Sequence, residues 1–173
     1  LWNDLLVSSL EVWGGLFISG CVSLGLTKVI SKESITARLI VSVLSFTFAT
    51  PIILPMLLPF YAINRVGSLS LSTMISIALL TLFPFSRIVV ALQGYNKLSV
   101  AIAGFKATLP LAFVGMLVGE LFGAVAGLGF RIVSELASAN ALAAMAVSLI
   151  TIISLLLSIV ILHWVSYKDS KKR

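Results

Sequence analysis

The sequence predicts an all-α polytopic membrane protein with about five transmembrane helices, and three observations predict it. Of 173 residues, 60% are hydrophobic and only 10% charged, whereas soluble domains carry about 25% charged residues. Mean hydropathy is +1.16. The apolar residues also gather into runs of roughly 20 or more, the length that crosses a hydrocarbon core as a helix. Five such runs make 1–173 a single transmembrane domain with no room for a soluble catalytic domain.

Span A covers 5–30, span B 39–63, span C 69–92, span D 107–125 and span E 141–165, separated by charged or turn-forming breaks at 31–38, 64–68, 93–106 and a Gly-rich turn at 126–140. In span A, Trp2 and Trp13 suit the membrane interface, Glu11 is placed at that interface, and Cys21 is expected as a small packing residue. A lone cysteine builds neither a disulfide framework nor a metal cluster. Span B carries Pro51, Pro55 and Pro59. Prolines spaced by four remove backbone donors along one face, so a kinked or broken segment is expected. Irregular backbone at membrane depth is tolerated where it is buried or lines a water-filled path, so these prolines are candidates for a translocation path, or else mark a kink without contact to substrate. Arg87, near the end of span C, reads as a snorkelling anchor.

Span D and the turn after it carry Gly115, Gly119, Gly123 and Gly127 at strict four-residue spacing, which predicts a groove where another helix backbone approaches closely. Glu120 is the acidic residue deep in a span. A carboxylate in lipid costs at least a few kcal/mol unless paired, protonated or facing water. It must therefore face the interior, either as a translocation-path residue or capped by Arg131 or by hydroxyls. Ser134, Ala137, Ser138 and Ala141 continue the small-residue spacing into span E, and His163, Trp164 and Tyr167 near its end read as an interfacial belt.

Basic residues set the orientation, because Lys and Arg near span ends stay on the cytoplasmic side. The A/B break and its edge hold Lys28, Lys32 and Arg38; the C/D region holds Arg87, Lys97 and Lys106; the tail holds Lys168, Lys171, Lys172 and Arg173. Ten of the twelve basic residues thus share one side in a five-span chain, which puts the N-terminus outside and the C-terminus in the cytoplasm. The net charge of +6 then reports topology and not nucleic-acid binding. Nothing resembles a cleaved signal peptide. The motifs GxxxxGK[ST], HExxH and GxSxG are absent, and no paired carboxylates are evident within the spans, so no catalytic or metal site is expected and any energy source is a partner.

Three segments resemble the membrane permease subunits of type I ABC importers, in the nitrate/sulfonate/taurine/bicarbonate branch. The stretch DLLVSSLEVWGGLFISGCVSLGLTKVI (4–30) is similar to the opening core helix of that family, and TPIILPMLLPFYAINRVG (50–67) is similar to its Pro-rich segment, with Pro51, Pro59 and Gly67 on the pattern. The closest likeness is AGFKATLPLAFVGMLVGELFGAVAGLGFRI (103–132), where Gly104, Ala107, Ala112, Glu120, Gly123, Gly127, Leu128 and Gly129 fall on the family pattern. The resemblance implies a five-helix permease core in a prokaryotic plasma membrane. It also implies a second permease chain, ATP-binding ATPase subunits that hold ATP and Mg, and an extracytoplasmic substrate-binding protein, with no cofactor on this chain. The family's EAA coupling loop between the helices equivalent to C and D has no counterpart in FSRIVVALQGYNKLSVAIA (85–103). Docking of the ATPase would fall to Gly94, Tyr95, Asn96 and Lys97. The alternative is a permease-derived structural subunit that no longer couples to an ATPase; a small carrier working alone is disfavoured by the lack of paired charges.

Overall fold

The computed structural model describes residues 1–30, 35, 39–43, 45, 69–92, 94–121 and 124–170. Among these, five helices are resolved as elements: α1 (Trp2–Ile30), α2 (Leu69–Ala91), α3 (Lys97–Leu121), α4 (Leu128–Ala137) and α5 (Ala141–Ser170). Four are long and apolar enough to cross a membrane, over Trp2–Leu26, Leu71–Ala91, Lys97–Leu121 and Ala141–Tyr167. The regular structure among the described residues is all helical and suits a membrane-embedded protein, as expected in lipid, where each backbone donor must find its acceptor within the segment. Of span B, residues 39–43 and 45 are described and are helical, while Pro51, Pro55 and Pro59 lie outside the described residues.

Spans A, C and E agree with α1, α2 and α5 within a few residues, but span D does not. Its helix begins ten residues earlier, at Lys97, and stops at Leu121. Lys106, expected in a connecting segment, therefore sits inside α3. Pro110 in α3 and Pro84 in α2 are both carried within continuous helices. The Gly-rich turn likewise contains a helix of its own, the ten-residue α4.

Helix ends follow local chemistry. Asn96 precedes α3 and its side-chain oxygen accepts the Leu98 N–H at 3.2 Å, the usual work of an N-cap asparagine. Gly94 takes φ +98°, and with it the connection from α2 to α3 closes tightly, the Tyr95 N–H reaching the Leu92 carbonyl at 3.2 Å. Asn140 opens α5 in the same manner, accepting from the Ala143 N–H at 3.4 Å.

Contacts fix the relative directions of the helices. Along α1, Gly15 lies on Met74 and Ile77, Gly20 on Phe85 and Ser23 accepts from Ser86 at 3.0 Å, so α1 and α2 run parallel. Along α3, Gly104 lies on Phe85 and Gly119 on Thr73, so α3 runs antiparallel to both. Ile30 and Leu69 consequently lie at opposite ends of the packed pair. The core joins Val12, Leu16, Ile77, Leu109, Ala112, Phe113, Met116 and Leu162; toward the turn, Phe85 and Phe105 meet edge to face at 5.3 Å. Buried hydroxyls are mostly satisfied within their own helices, Ser76 on the Ser72 carbonyl (2.9 Å), Thr81 on Ile77 (2.8 Å) and Thr108 on Gly104 (2.8 Å). Large apolar side chains such as Leu6, Leu10, Phe17, Leu149, Ile153 and Leu157 point outward. Cys21 is also exposed and does not fill the packing role its size suggested.

A Cβ on Gly15 would lie 2.7 Å from Ile77 and 2.8 Å from the Met74 backbone oxygen, whereas one on Gly25 would meet nothing within 4 Å. Gly15→Ala is therefore expected to destabilise the bundle by about 1–3 kcal/mol through overpacking. Gly25→Ala is expected to be neutral or to stabilise by up to about 1 kcal/mol through helix propensity. Thermal unfolding of both variants in one detergent checks the contrast; an equal response would refute this account of the α1/α2 contact.

Candidate functional site

The polar residues of this bundle converge where the start of α1, the end of α3 and the start of α4 meet. A helix leaves its first N–H groups without intrahelical partners, and in α4 these are met by side chains of other helices. The Gly127 N–H points to Asp4 Oδ1 at 3.3 Å, the Leu128 N–H donates to Ser8 Oγ at 2.8 Å, and the Gly129 N–H donates to Glu120 Oε2 at 2.6 Å. Ser8 in turn donates its hydroxyl to Glu120 Oε1. Both oxygens of Glu120 thus accept from a donor, and the carboxylate sits at the positive end of the α4 dipole, where negative charge is favoured.

Glycines make room for this corner. Gly127 has φ +123°, and a Cβ there would collide with the Glu120 carboxyl group. A Cβ on Gly129 would lie 2.9 Å from the Leu117 carbonyl oxygen and 3.0 Å from the Glu120 Cβ. Gly115 is buried within α3 and Gly119 lies against Thr73. Gly123 lies outside the described residues. The four regularly spaced glycines are not one helix face, since α3 ends at Leu121 and Gly127 belongs to the corner that turns the chain into α4.

Glu11 of α1 is buried as well. It and Glu120 are each only 1% exposed. Glu11 Oε2 has no hydrogen-bond partner among the described residues, and neither does the buried Ser19 Oγ. Glu11, placed at the outer interface by the sequence, is thus covered by protein. Arg131, one of the caps expected for Glu120, instead forms an ion pair with Glu135 at 2.9 Å and leaves Glu120 to the Ser8 hydroxyl and the Gly129 amide. The signal for Glu11 lay in the helical register of Ser8, Glu11, Gly15, Ser19 and Ser23. These residues form one polar and small stripe at i, i+3/i+4 spacing on an otherwise lipophilic helix, and all five are buried.

At the other end of the bundle, Gly94, Tyr95, Asn96 and Lys97 are exposed together. Asn96 is committed to capping α3 and Gly94 to its turn, so Tyr95 and Lys97 are the side chains this turn presents outward. Arg87 is exposed in the last turns of α2, and Lys28 falls in the last turn of α1, at the same end. His163, Trp164 and Tyr167 are exposed near the end of α5. Among the described residues, no group of three or more His, Cys, Asp or Glu side chains is arranged to hold a metal ion.

Ser8 links α1, α3 and α4 through one oxygen. Ser8→Ala leaves the Leu128 N–H without its acceptor and Glu120 short of one donor, and is expected to cost about 1–3 kcal/mol. Gly127→Ala adds both a steric collision and a strained φ and is expected to cost at least as much. Thermal unfolding checks both, and protection of the Leu128 amide against hydrogen exchange should fall selectively in Ser8→Ala. No protein-family model matches this chain, and neither does any curated protein.

Proposed function

We propose that this chain is the membrane-spanning permease subunit of an ATP-binding-cassette importer, residing in a prokaryotic plasma membrane with its N-terminus outside. The observation that carries the reading is the helix arrangement. Parallel α1 and α2 pack directly although their consecutive ends lie at opposite ends of the bundle, which calls for a return crossing between them, as a five-span core requires. Both helices bury polar side chains, Ser8, Glu11, Ser19 and Ser23 of α1 and Ser72, Thr73, Ser76, Thr81 and Ser86 of α2, and this polar seam also borders α3, where Thr73 lies on Gly119. Polar side chains inside a membrane mark pathways or close helix contacts.

The charge distribution supports the orientation. Arg87 and Lys97 flank the α2/α3 turn and position 28 falls in the last turn of α1 at the same end, while Asp4, Glu11 and Glu120 lie toward the opposite end, the asymmetry of a chain with its basic end in the cytoplasm. In this reading the chain pairs with a second permease chain, receives substrate from an extracytoplasmic binding protein and has no catalytic role. The partner ATPase holds ATP and Mg and docks on the turn bearing Tyr95 and Lys97. Translocation would run along the buried seam toward Glu120, with Pro51, Pro55 and Pro59 as further lining. One feature favours the alternative of a structural subunit without ATPase coupling: only residues 92–96 separate α2 from α3, too few for a separate coupling helix.

Co-purification in mild detergent with the products of neighbouring genes tests the proposal, and recovery with no ATPase under any condition would sink it. The double variant Tyr95→Ala, Lys97→Glu is expected to lower ATPase recovery at least about tenfold, the loss of roughly 1.4 kcal/mol of docking free energy. Its melting temperature should stay within a degree or two of the parent, because exposed positions contribute little to stability. An unchanged recovery would favour the structural alternative.

A further inference from the structure

We infer that the far end of α5 is a binding site for an anionic phospholipid, whose acyl chain lies in a groove on the helix and whose phosphate is held by the basic residues that follow. The groove passes Ile159, Val160, His163, Trp164 and Tyr167 and has a volume of about 390 Å³. All five side chains are exposed. Positions 159, 163 and 167 and positions 160 and 164 follow the helix repeat and form two adjoining rows on one face. Along these rows the chemistry changes with depth. Ile159 and Val160 are aliphatic, His163 and Trp164 one turn later join an apolar ring to an N–H, and Tyr167 ends the face with a phenol. The stretch long and apolar enough to cross a membrane ends at Tyr167, so the three ring residues fall at the boundary where aromatic side chains sit at headgroup level.

Charge follows directly in the sequence. Residues 168–173 read KDSKKR, with Lys168, Lys171, Lys172 and Arg173 against Asp169. Helix α5 continues to Ser170, so position 168 lies one turn beyond Trp164. An aliphatic floor, an aromatic rim and a basic end match a phospholipid in order, from its chains through its ester region to its phosphate. A zwitterionic lipid fits the floor but gains little from the basic end, whereas a headgroup of net negative charge gains from each Lys or Arg near the surface. The other side of α5 is engaged with protein. Ser158 and Leu162 are buried, and Leu162 belongs to the core with Leu109 and Met116, which leaves the groove on the side turned away from the bundle, toward lipid. The inference goes beyond the importer reading and holds with or without an ATPase.

Fluorescence quenching of the full chain in phosphatidylcholine vesicles tests it, with either phosphatidylglycerol or phosphatidylcholine brominated on the acyl chain as the quencher. The chain has three tryptophans, and Trp2→Phe with Trp13→Phe leaves Trp164 in the groove as the reporter. At low salt, brominated phosphatidylglycerol is expected to quench Trp164 at least about threefold more effectively per mole than brominated phosphatidylcholine. That preference should vanish at high salt and in the chain carrying Lys168→Gln, Lys171→Gln, Lys172→Gln and Arg173→Gln. With Trp2→Phe and Trp164→Phe, the remaining Trp13 in α1 should respond to both lipids alike. Should a single-tryptophan variant not fold, the lipid that co-purifies with the wild type from an equal mixture decides instead: phosphatidylglycerol enriched, and the enrichment lost in the neutralised chain. Equal quenching by the two lipids, a preference that survives neutralisation or is shared by Trp13, co-purified lipid without enrichment, or a Trp164 that neither lipid reaches because a second copy or another protein covers it would overturn the proposal.

Discussion

Hydrocarbon offers no hydrogen bonds, so any polar group that enters it must be met by protein. In this bundle that constraint is concentrated on Glu120. Its carboxyl group sits in the last turn of α3, takes the Gly129 N–H of α4 and, through Ser8, ties in α1. Three elements are oriented by one side chain. The glycines at 127 and 129 follow from it, because a bulkier residue at either position would occupy the space that the carboxyl group and the end of α3 need.

Much of this was legible in the chain. Apolar run length located α1, α2 and α5 closely, because crossing a bilayer imposes a length that composition alone reveals. The need for Glu120 to face inward was equally plain. Less visible was where α3 begins and ends. Ser99, Gly104 and Lys106 dilute the apolar signal of its first turns, and the helix is set by the Asn96 cap. Which hydroxyl meets Glu120 was not legible for a geometric reason: Ser8 is 112 positions away in sequence, and linear order says nothing about which faces meet. Its register with Glu11, Gly15, Ser19 and Ser23 was the available clue.

The regular glycine spacing is instructive in a different way. Read as a single stripe it suggests one long groove, yet it is divided by the end of a helix. Gly115 and Gly119 serve close packing within the bundle, while Gly127 serves a left-handed corner. The two ends of the molecule also differ in kind. One is locked by carboxyl, hydroxyl and amide groups. The other is a short, exposed turn that bears Tyr95 and Lys97, with Arg87 nearby on α2.

The parallel packing of α1 on α2 carries a consequence for biogenesis. A chain that enters the membrane from its N-terminal side inserts α1 before α2, α3 and α4, yet Ser8 finds its partners at Glu120 and Leu128, and Ser23 finds Ser86 63 positions later. Until those segments emerge, Ser8 and Ser23 of α1 lack these partners. Contacts of such separation close late. The helix α1 is thus made before residues that complete it, and its polar contacts are among those of widest sequence separation in the bundle.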